Sequence, residues 1–159
     1  MTKIIYGTKG EEIKVDSEDY DKLIEFNWNC HNGYPRTYRR RKEEGNKLKS
    51  TTIHQLILNI PTGFVCDHIN HNLLDNRKEN LRICTIQQNS KNRTRSKTSK
   101  STYLGVTYHK RAKRYQAQIR TNKKRIYLGC FKTEEAAARA YDEAAKLHHK
   151  EFANLNFKD

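Results

Sequence analysis

Between residues 80 and 133 there is no Asp or Glu, yet that stretch holds 15 Lys and Arg. Residues 1–53 are balanced by comparison, with 11 Lys and Arg against 9 Asp and Glu. A solvated charged face mixes both signs, so a long run of one sign reads as a surface for a polyanion. The whole chain carries 32 Lys and Arg against 18 Asp and Glu, a formal charge of +14 on 159 residues. Long-range attraction and counterion release then make nucleic acid the expected partner.

Apolar length is scarce as well. No run of eighteen apolar residues occurs, and no segment combines a basic face with a large apolar one, which excludes a membrane span and a membrane-surface helix. The opening Met1-Thr2-Lys3-Ile4-Ile5-Tyr6-Gly7 is too short and mixed for a secretory signal, so a soluble, intracellular, cytoplasmic protein is expected, with no membrane partner. With 35% hydrophobic residues, one large core is not expected, and two or three small modules are. Cys30, Cys66, Cys84 and Cys130 form no C-x-x-C pair, so the spacing of a structural zinc site is missing. They read as reduced, small, mostly buried side chains, and no structural zinc or small-molecule cofactor is expected.

The two prolines and the turn residues divide the N-terminal half. Ile4, Ile5 and Tyr6, a Gly7-Thr8-Lys9-Gly10 turn, and Ile13 and Val15 predict a strand hairpin. Ser17 is expected to cap a short helix bearing Tyr20, Leu23 and Ile24, and Trp28 to lie in the core. Asn32-Gly33 is a two-residue hairpin signal, and Pro35 makes the strand after it an edge strand. The run Arg39-Arg40-Arg41-Lys42 reads equally as a solvated loop or as an arm on a phosphate backbone. Ile53 to Leu58 predicts a short apolar helix stopped by Asn59 and Pro61, packed under the next segment. His54 beside it reads as a hydrogen-bonded core residue rather than a third catalytic group.

That next segment organises the chain. Phe64-Val65-Cys66 predicts a buried strand delivering Asp67 and His68, with Leu81-Arg82-Ile83-Cys84 as its antiparallel partner. An Asn- and Asp-rich loop joins them, and Thr85-x-x-Gln88 matches a capping box that starts a helix carrying Asn89. This order could bring Asp67 and Asn89 together as oxygen donors to a hard cation such as Mg²⁺, with few protein ligands needed. His68 titrates near neutrality and suits a general base for water attacking phosphorus, and Asn80 suits a brace on the loop.

Asp67-His68-Ile69-Asn70, then Asp75-Asn76-Arg77-Lys78-Glu79-Asn80-Leu81-Arg82, then Thr85-Ile86-Gln87-Gln88-Asn89 resembles the HNH endonucleases, specifically the homing-type branch. The resemblance implies His68 as general base, Asp67 and Asn89 as ligands of Mg²⁺ or Mn²⁺, Asn80 as the middle asparagine of the motif, and double-stranded DNA as substrate. Many relatives have histidine where this chain has Asn89, a departure typical of the homing type. An Asp-His pair in an Asn-rich loop can be turn chemistry alone, but the ordered set with its spacing argues for the nuclease.

Residues 90–102 carry Lys91, Arg93, Arg95, Lys97 and Lys100 among Ser, Thr and Asn, and read as a linker laid along phosphates. Leu104-Gly105-Val106, Tyr115 to Arg120 and Arg125 to Gly129 predict three short strands, the last two joined by Thr121-Asn122-Lys123-Lys124. Thr133 is expected to cap a helix from Glu134 to about His149, with Ala137, Ala140, Tyr141, Ala144 and Leu147 as its apolar stripe, and the other sheet face is expected to be left free.

Tyr103-Leu104-Gly105-Val106, Ala117-Gln118-Ile119-Arg120, Arg125 to Phe131, Glu135 to Asp142 and Phe152 to Phe157 are similar to the plant ethylene-response-factor (apetala-type) DNA-binding domain. That resemblance implies a sheet that enters the major groove. Arg120 and Arg125 match contact positions of that family. Lys110, Lys113, Arg114 and Tyr115 follow from the local pattern, and Arg93 and Arg95 from the basic linker. Leu104 and Thr107 stand where that family has arginine, so its base preference does not carry over.

The expected fold is α+β: an N-terminal β-rich segment (1–52), a small ββα-metal nuclease module (53–90), a basic linker (91–101) and a three-stranded antiparallel sheet packed on one long helix (102–159). The expected function is a metal-dependent, site-directed homing-type DNA endonuclease, phage- or mobile-element-borne. A DNA-binding regulator with a catalytically silent nuclease scaffold is the alternative, and an electrostatic packaging protein the third.

Overall fold

A computed structural model describes residues 1–41, 47–95 and 101–157. It divides into two units, Met1–Thr85 and Ile86–Asp159.

In the first unit, β1 (Thr2–Tyr6) and β2 (Glu12–Asp16) form an antiparallel hairpin whose turn closes from Gly10 N–H to the Gly7 carbonyl. Period-2 alternation turns Ile5, Ile13 and Val15 inward. They meet Leu23 of α1 (Ser17–Ile24), Trp28 and Ile53 in one buried cluster. Trp28 is 1% exposed, and its indole N–H donates to the Leu23 carbonyl at 2.9 Å, satisfying the polar edge of the ring. Helix α1 starts at Ser17, one residue earlier than a Ser17 cap requires. The preceding Asp16 does not cap it, because its Oδ2 accepts the Lys78 N–H at 2.7 Å.

Next come β3 (Asn29–His31), β4 (Tyr34–Arg41) and β5 (Lys47–Thr52), an antiparallel sheet with β4 in the centre. Asn32 and Gly33 both take positive φ, 51° and 81°, the type I′ geometry that Asn-Gly favours. The edge-strand expectation from Pro35 is corrected. Pro35 faces Cys30 on one side, and the pairing of β4 with β5 begins only at Arg36, so the missing N–H costs no bond to β5. Arg39 to Arg41 end β4; their side chains, and Lys42, lie outside the described residues.

Helix α2 (Ile53–Ile57) starts after Thr52, whose N–H donates to Gln55 Oε1 at 3.0 Å. The last elements are β6 (Phe64–His68) and β7 (Leu81–Thr85), an antiparallel pair with Asp67 opposite Arg82 and His68 opposite Leu81. Their connecting loop is stitched to β2. Lys14 N–H donates to the Leu74 carbonyl and Asn76 N–H to the Lys14 carbonyl, both at 2.8 Å.

The second unit opens with α3 (Ile86–Asn89) and continues to β8 (Val106–His109), β9 (Arg114–Thr121) and β10 (Lys124–Phe131), an antiparallel sheet with β9 central. The first strand starts at Val106 rather than Leu104. Gly105 has φ 78°, which breaks strand geometry, and a Cβ there would lie 2.0 Å from the Tyr141 ring. Helix α4 (Glu134–His149) covers one face, with Thr133 Oγ1 accepting the Ala136 N–H. Its buried stripe is Ala137, Ala138, Tyr141, Asp142, Ala145 and His149, while Leu147 is 71% exposed. Two polar residues turn inward because each has partners there. Asp142 accepts N–H groups of Asn156 and Phe157, and His149 Nε2 lies 3.1 Å from the Arg120 carbonyl. Among the described residues, no helix is long and apolar enough to cross a membrane.

Candidate active site and nucleic-acid interface

Successive strand residues project to opposite faces, so β6 presents Asp67 on one side and His68 on the other. Both are buried, at 5% and 4% exposure. Arg82, opposite Asp67, grips its Oδ2 through Nε at 2.8 Å and Nη2 at 2.7 Å. His68 Nε2 lies 3.2 Å from Asn76 Oδ1. The Asn76 amide is oriented by its own Nδ2, which donates to the Leu73 carbonyl at 3.1 Å. An amide oxygen only accepts, so Nε2 carries the proton and the basic lone pair sits on Nδ1. Burial lowers the pKa of His68, against the opposing pull of Asn76, Asp67 and Asp75, and favours the neutral ring.

The loop from Ile69 to Asn80 is built from side-chain turns. Asn70 Oδ1 accepts the Asn72 N–H and Asn72 Oδ1 the Leu74 N–H. Asn80 ties its two ends, its Oδ1 accepting the Asn70 N–H at 2.9 Å and its Nδ2 donating to the Asp75 carbonyl at 2.7 Å. Asp75, 2% exposed, receives Arg77 through Nε and Nη2 at 2.8 Å each and Asn70 Nδ2 at 2.9 Å. The Arg77 guanidinium holds its carboxyl below the usual carboxylate range.

Two aromatic groups wall the His68 ring. Tyr34 lies 6.1 Å and His54 5.5 Å from it between centroids, both edge-on. His54 Nε2 shares a 2.9 Å hydrogen bond with Thr52 Oγ1, and burial pushes its pKa down to about 4. The residue touching His68 is thus Asn76 rather than Asn80. Asn76 stands inside the motif and its position was readable there; Tyr34 carries no local signal beyond the turn before it. Asn89 ends α3 in the second unit.

In the second unit Arg120 and Arg125 face each other across β9 and β10. Like charges so placed repel unless an anion joins them. A cavity of about 340 Å³ beside them is also lined by Arg93, Arg95, Thr107 and Gln118. The outward side chains of Thr107, Arg120, Arg125 and Tyr127 are exposed, so the outer face is left free as expected, and the basic segment before the sheet makes contacts of its own up to Arg95. The Arg93 carbonyl accepts from Asn154 Nδ2, and Arg95 Nη1 donates to the Ser101 carbonyl, both at 3.0 Å. Lys97 and Lys100 lie outside the described residues. Lys110 and Lys113 occupy the exposed turn between β8 and β9, and Arg114 opens β9 exposed. Tyr115 points to the helix-covered face, against the core and 5.0 Å from the Tyr108 ring.

Comparison with known proteins finds two family models along the chain. The HNH endonuclease family model matches residues 59–91 and the AP2 domain model residues 101–150. An uncharacterised HNH endonuclease of Acanthamoeba polyphaga mimivirus is 32% identical over 151 residues, covering 93% of this chain and 76% of that protein. An AP2-like ethylene-responsive transcription factor of Arabidopsis thaliana is 42% identical over 67 residues, 42% of this chain but 14% of that protein. An APETALA2-like protein of Oryza sativa subsp. indica is likewise 42% identical over 67 residues, 15% of its length. No solved structure matches the chain significantly.

Proposed function

Because the chain belongs to the HNH endonuclease family and carries an AP2 domain, we propose that it is a metal-dependent, site-directed DNA endonuclease of the homing type. The observation that carries this reading is His68 at the end of β6, buried and held through Nε2 by Asn76 Oδ1. Its Nδ1 takes the proton of a water attacking a backbone phosphorus, and the rigid loop keeps the ring aimed while it does so. Asp67 and, from the motif, Asn89 are the metal ligands, both oxygen donors of the kind Mg²⁺ or Mn²⁺ takes. Asp67 shares its carboxylate with Arg82, which fixes the direction in which it offers an oxygen. When bound, the cation supplies Lewis-acid stabilisation of the charge developing on the phosphate and leaving oxygen.

In this reading residues 53–90 cut, 1–52 buttress them, 91–101 link, and 102–159 read duplex DNA. Arg120 and Arg125, with Arg93 and Arg95 around the same cavity, seat a backbone phosphate or a base edge, and Lys110, Lys113 and Arg114 add phosphate contacts. Tyr115 supports the sheet from beneath. The test begins with a duplex selected from random sequence by binding to the protein and cloned into supercoiled plasmid. With Mg²⁺ the plasmid is expected to become nicked or linear, and to stay intact when His68→Ala binds it equally well. Equal cutting by both proteins refutes the mechanism.

The Arg82 guanidinium on Asp67 favours one other reading, a DNA-binding regulator whose nuclease unit is scaffold. Binding without cutting under every divalent cation would select it.

A further inference from the structure

Cys66 and His68, two residues apart on β6, project from the face opposite Asp67. His54 of α2 closes over them from the side. One ligand atom from each of His54, Cys66 and His68 lies within 4.8 Å of the other two. His54 already uses Nε2 on Thr52, while its Nδ1 is buried with no hydrogen-bond partner among the described residues. In the tautomer where Nε2–H donates to Thr52 Oγ1, Nδ1 holds a buried lone pair, which is costly unless something else takes it. Two imidazoles and a thiol are soft donors, unlike the carboxylate and amide assigned to the hard cation. Tetrahedral zinc with bonds of about 2.0 to 2.3 Å has ligand–ligand edges of roughly 3.3 to 3.8 Å, so side-chain shifts of about 1 Å close the three around an ion.

We propose that His54, Cys66 and His68 form a three-ligand site for a thiophilic divalent cation of the Zn²⁺ class, with water in the fourth position, and that filling it switches the nuclease off. Binding forms one metal–sulfur and two metal–nitrogen bonds, breaks the S–H bond of Cys66, and releases one proton to solvent with no change of oxidation state. His68, once a ligand, no longer accepts a proton from water. The site stands on geometry alone; the switch rests on the function proposed above.

Co²⁺ titrated into the reduced full-length protein without Mg²⁺ is the direct probe. Thiolate-to-cobalt charge-transfer absorption and strong four-coordinate visible bands should saturate at one equivalent and disappear when Zn²⁺ is added. Cys66→Ser should lose the charge-transfer band, and His54→Ala should weaken binding by at least the ~10-fold that loss of an outer-shell partner costs. No band in the wild type, or a band that survives Cys66→Ser, overturns the site. Should Cys66→Ser fail to fold, X-ray absorption of the zinc-loaded wild type decides: one sulfur with nitrogen neighbours supports the site, and a shell with no sulfur or several overturns it. In the cleavage assay with Mg²⁺, Zn²⁺ should stop the wild type and spare Cys66→Ser; equal inhibition overturns the switch. Cobalt bound through Cys66 in a protein that never cuts DNA overturns the nuclease reading, and the switch with it, while the site stands.

Discussion

Where Arg77 closes on Asp75 and Arg82 on Asp67 in the first unit, Arg120 and Arg125 of the second face one another across two strands, with Arg93 and Arg95 lining the same cavity. Lys78 likewise meets Glu18 and Asp19 inside the first unit. Cations used this way hold a loop still, because each guanidinium fixes the carboxylate beside it and little field escapes. Cations gathered without acids in the same run do the reverse: they raise the potential and leave the counter-charge to come from outside. One unit is thereby built to position and the other to attract.

If that contrast is right, damage to the two units should separate cleanly. The largest effect is expected from His68→Ala, a fall in cleavage on the order of 10²-fold or more with DNA affinity unchanged in a mobility-shift assay. A parallel loss of affinity would mean the first unit also carries recognition. Gly105→Ala should come next, destabilising the second unit by about 3 kcal/mol, since the new methyl strikes the Tyr141 ring at a positive φ. Denaturant unfolding should show that unit melting early while the first keeps its transition. A single shared shift would mean that the two units unfold together.

Arg125→Ala should weaken binding about 10-fold and reduce the slope of log affinity against log salt by about 1. An unchanged slope would mean that Arg125 meets no phosphate. The smallest effect concerns acid. Burial lowers the folded pKa of His54 to about 4, and that of His149 in the second unit falls as well. Each binds its extra proton more readily when unfolded, so the stabilisation is complete above pH 6.5 or so and drains away as pH falls toward 4. Thermal unfolding followed between pH 7 and 4 should decline in both units, and His54→Gln should flatten the decline in the first unit alone.

Much of the site was readable from sequence because its residues are close together in the chain. Asp67, His68, Asn76, Asn80 and Arg82 belong to one hairpin, and spacing along β6 and β7 decides who faces whom. The same holds for Asn32-Gly33 and for Thr133 at the start of α4, where one or two residues dictate a turn or a cap. Legibility failed where partners are remote. Tyr34 and His54 reach His68 through the tertiary packing of β4 and α2, and no local pattern announces it. The α4 stripe was displaced because Asp142 and His149 find buried partners in the C-terminal segment and in β9. Pro35 misled because a rule about missing donors depends on where the neighbouring strand begins. The basic segment at Arg93 looked like a linker because its ties run through its own backbone carbonyl, which no side-chain pattern reveals.

The stitch between Lys14 and the loop at Leu74 to Asn76 also sets an order of assembly. Together with the bond from Lys78 N–H to Asp16, 62 positions earlier, it joins the loop from Ile69 to Asn80 to the β1–β2 hairpin. During synthesis that hairpin leaves the ribosome before the loop, which then closes a long span of chain onto it, at the entropic cost of a distant contact. A chain begun after residue 16 would keep every residue of the motif and lose the template on which the loop sets, so His68 would emerge with its anchor unformed.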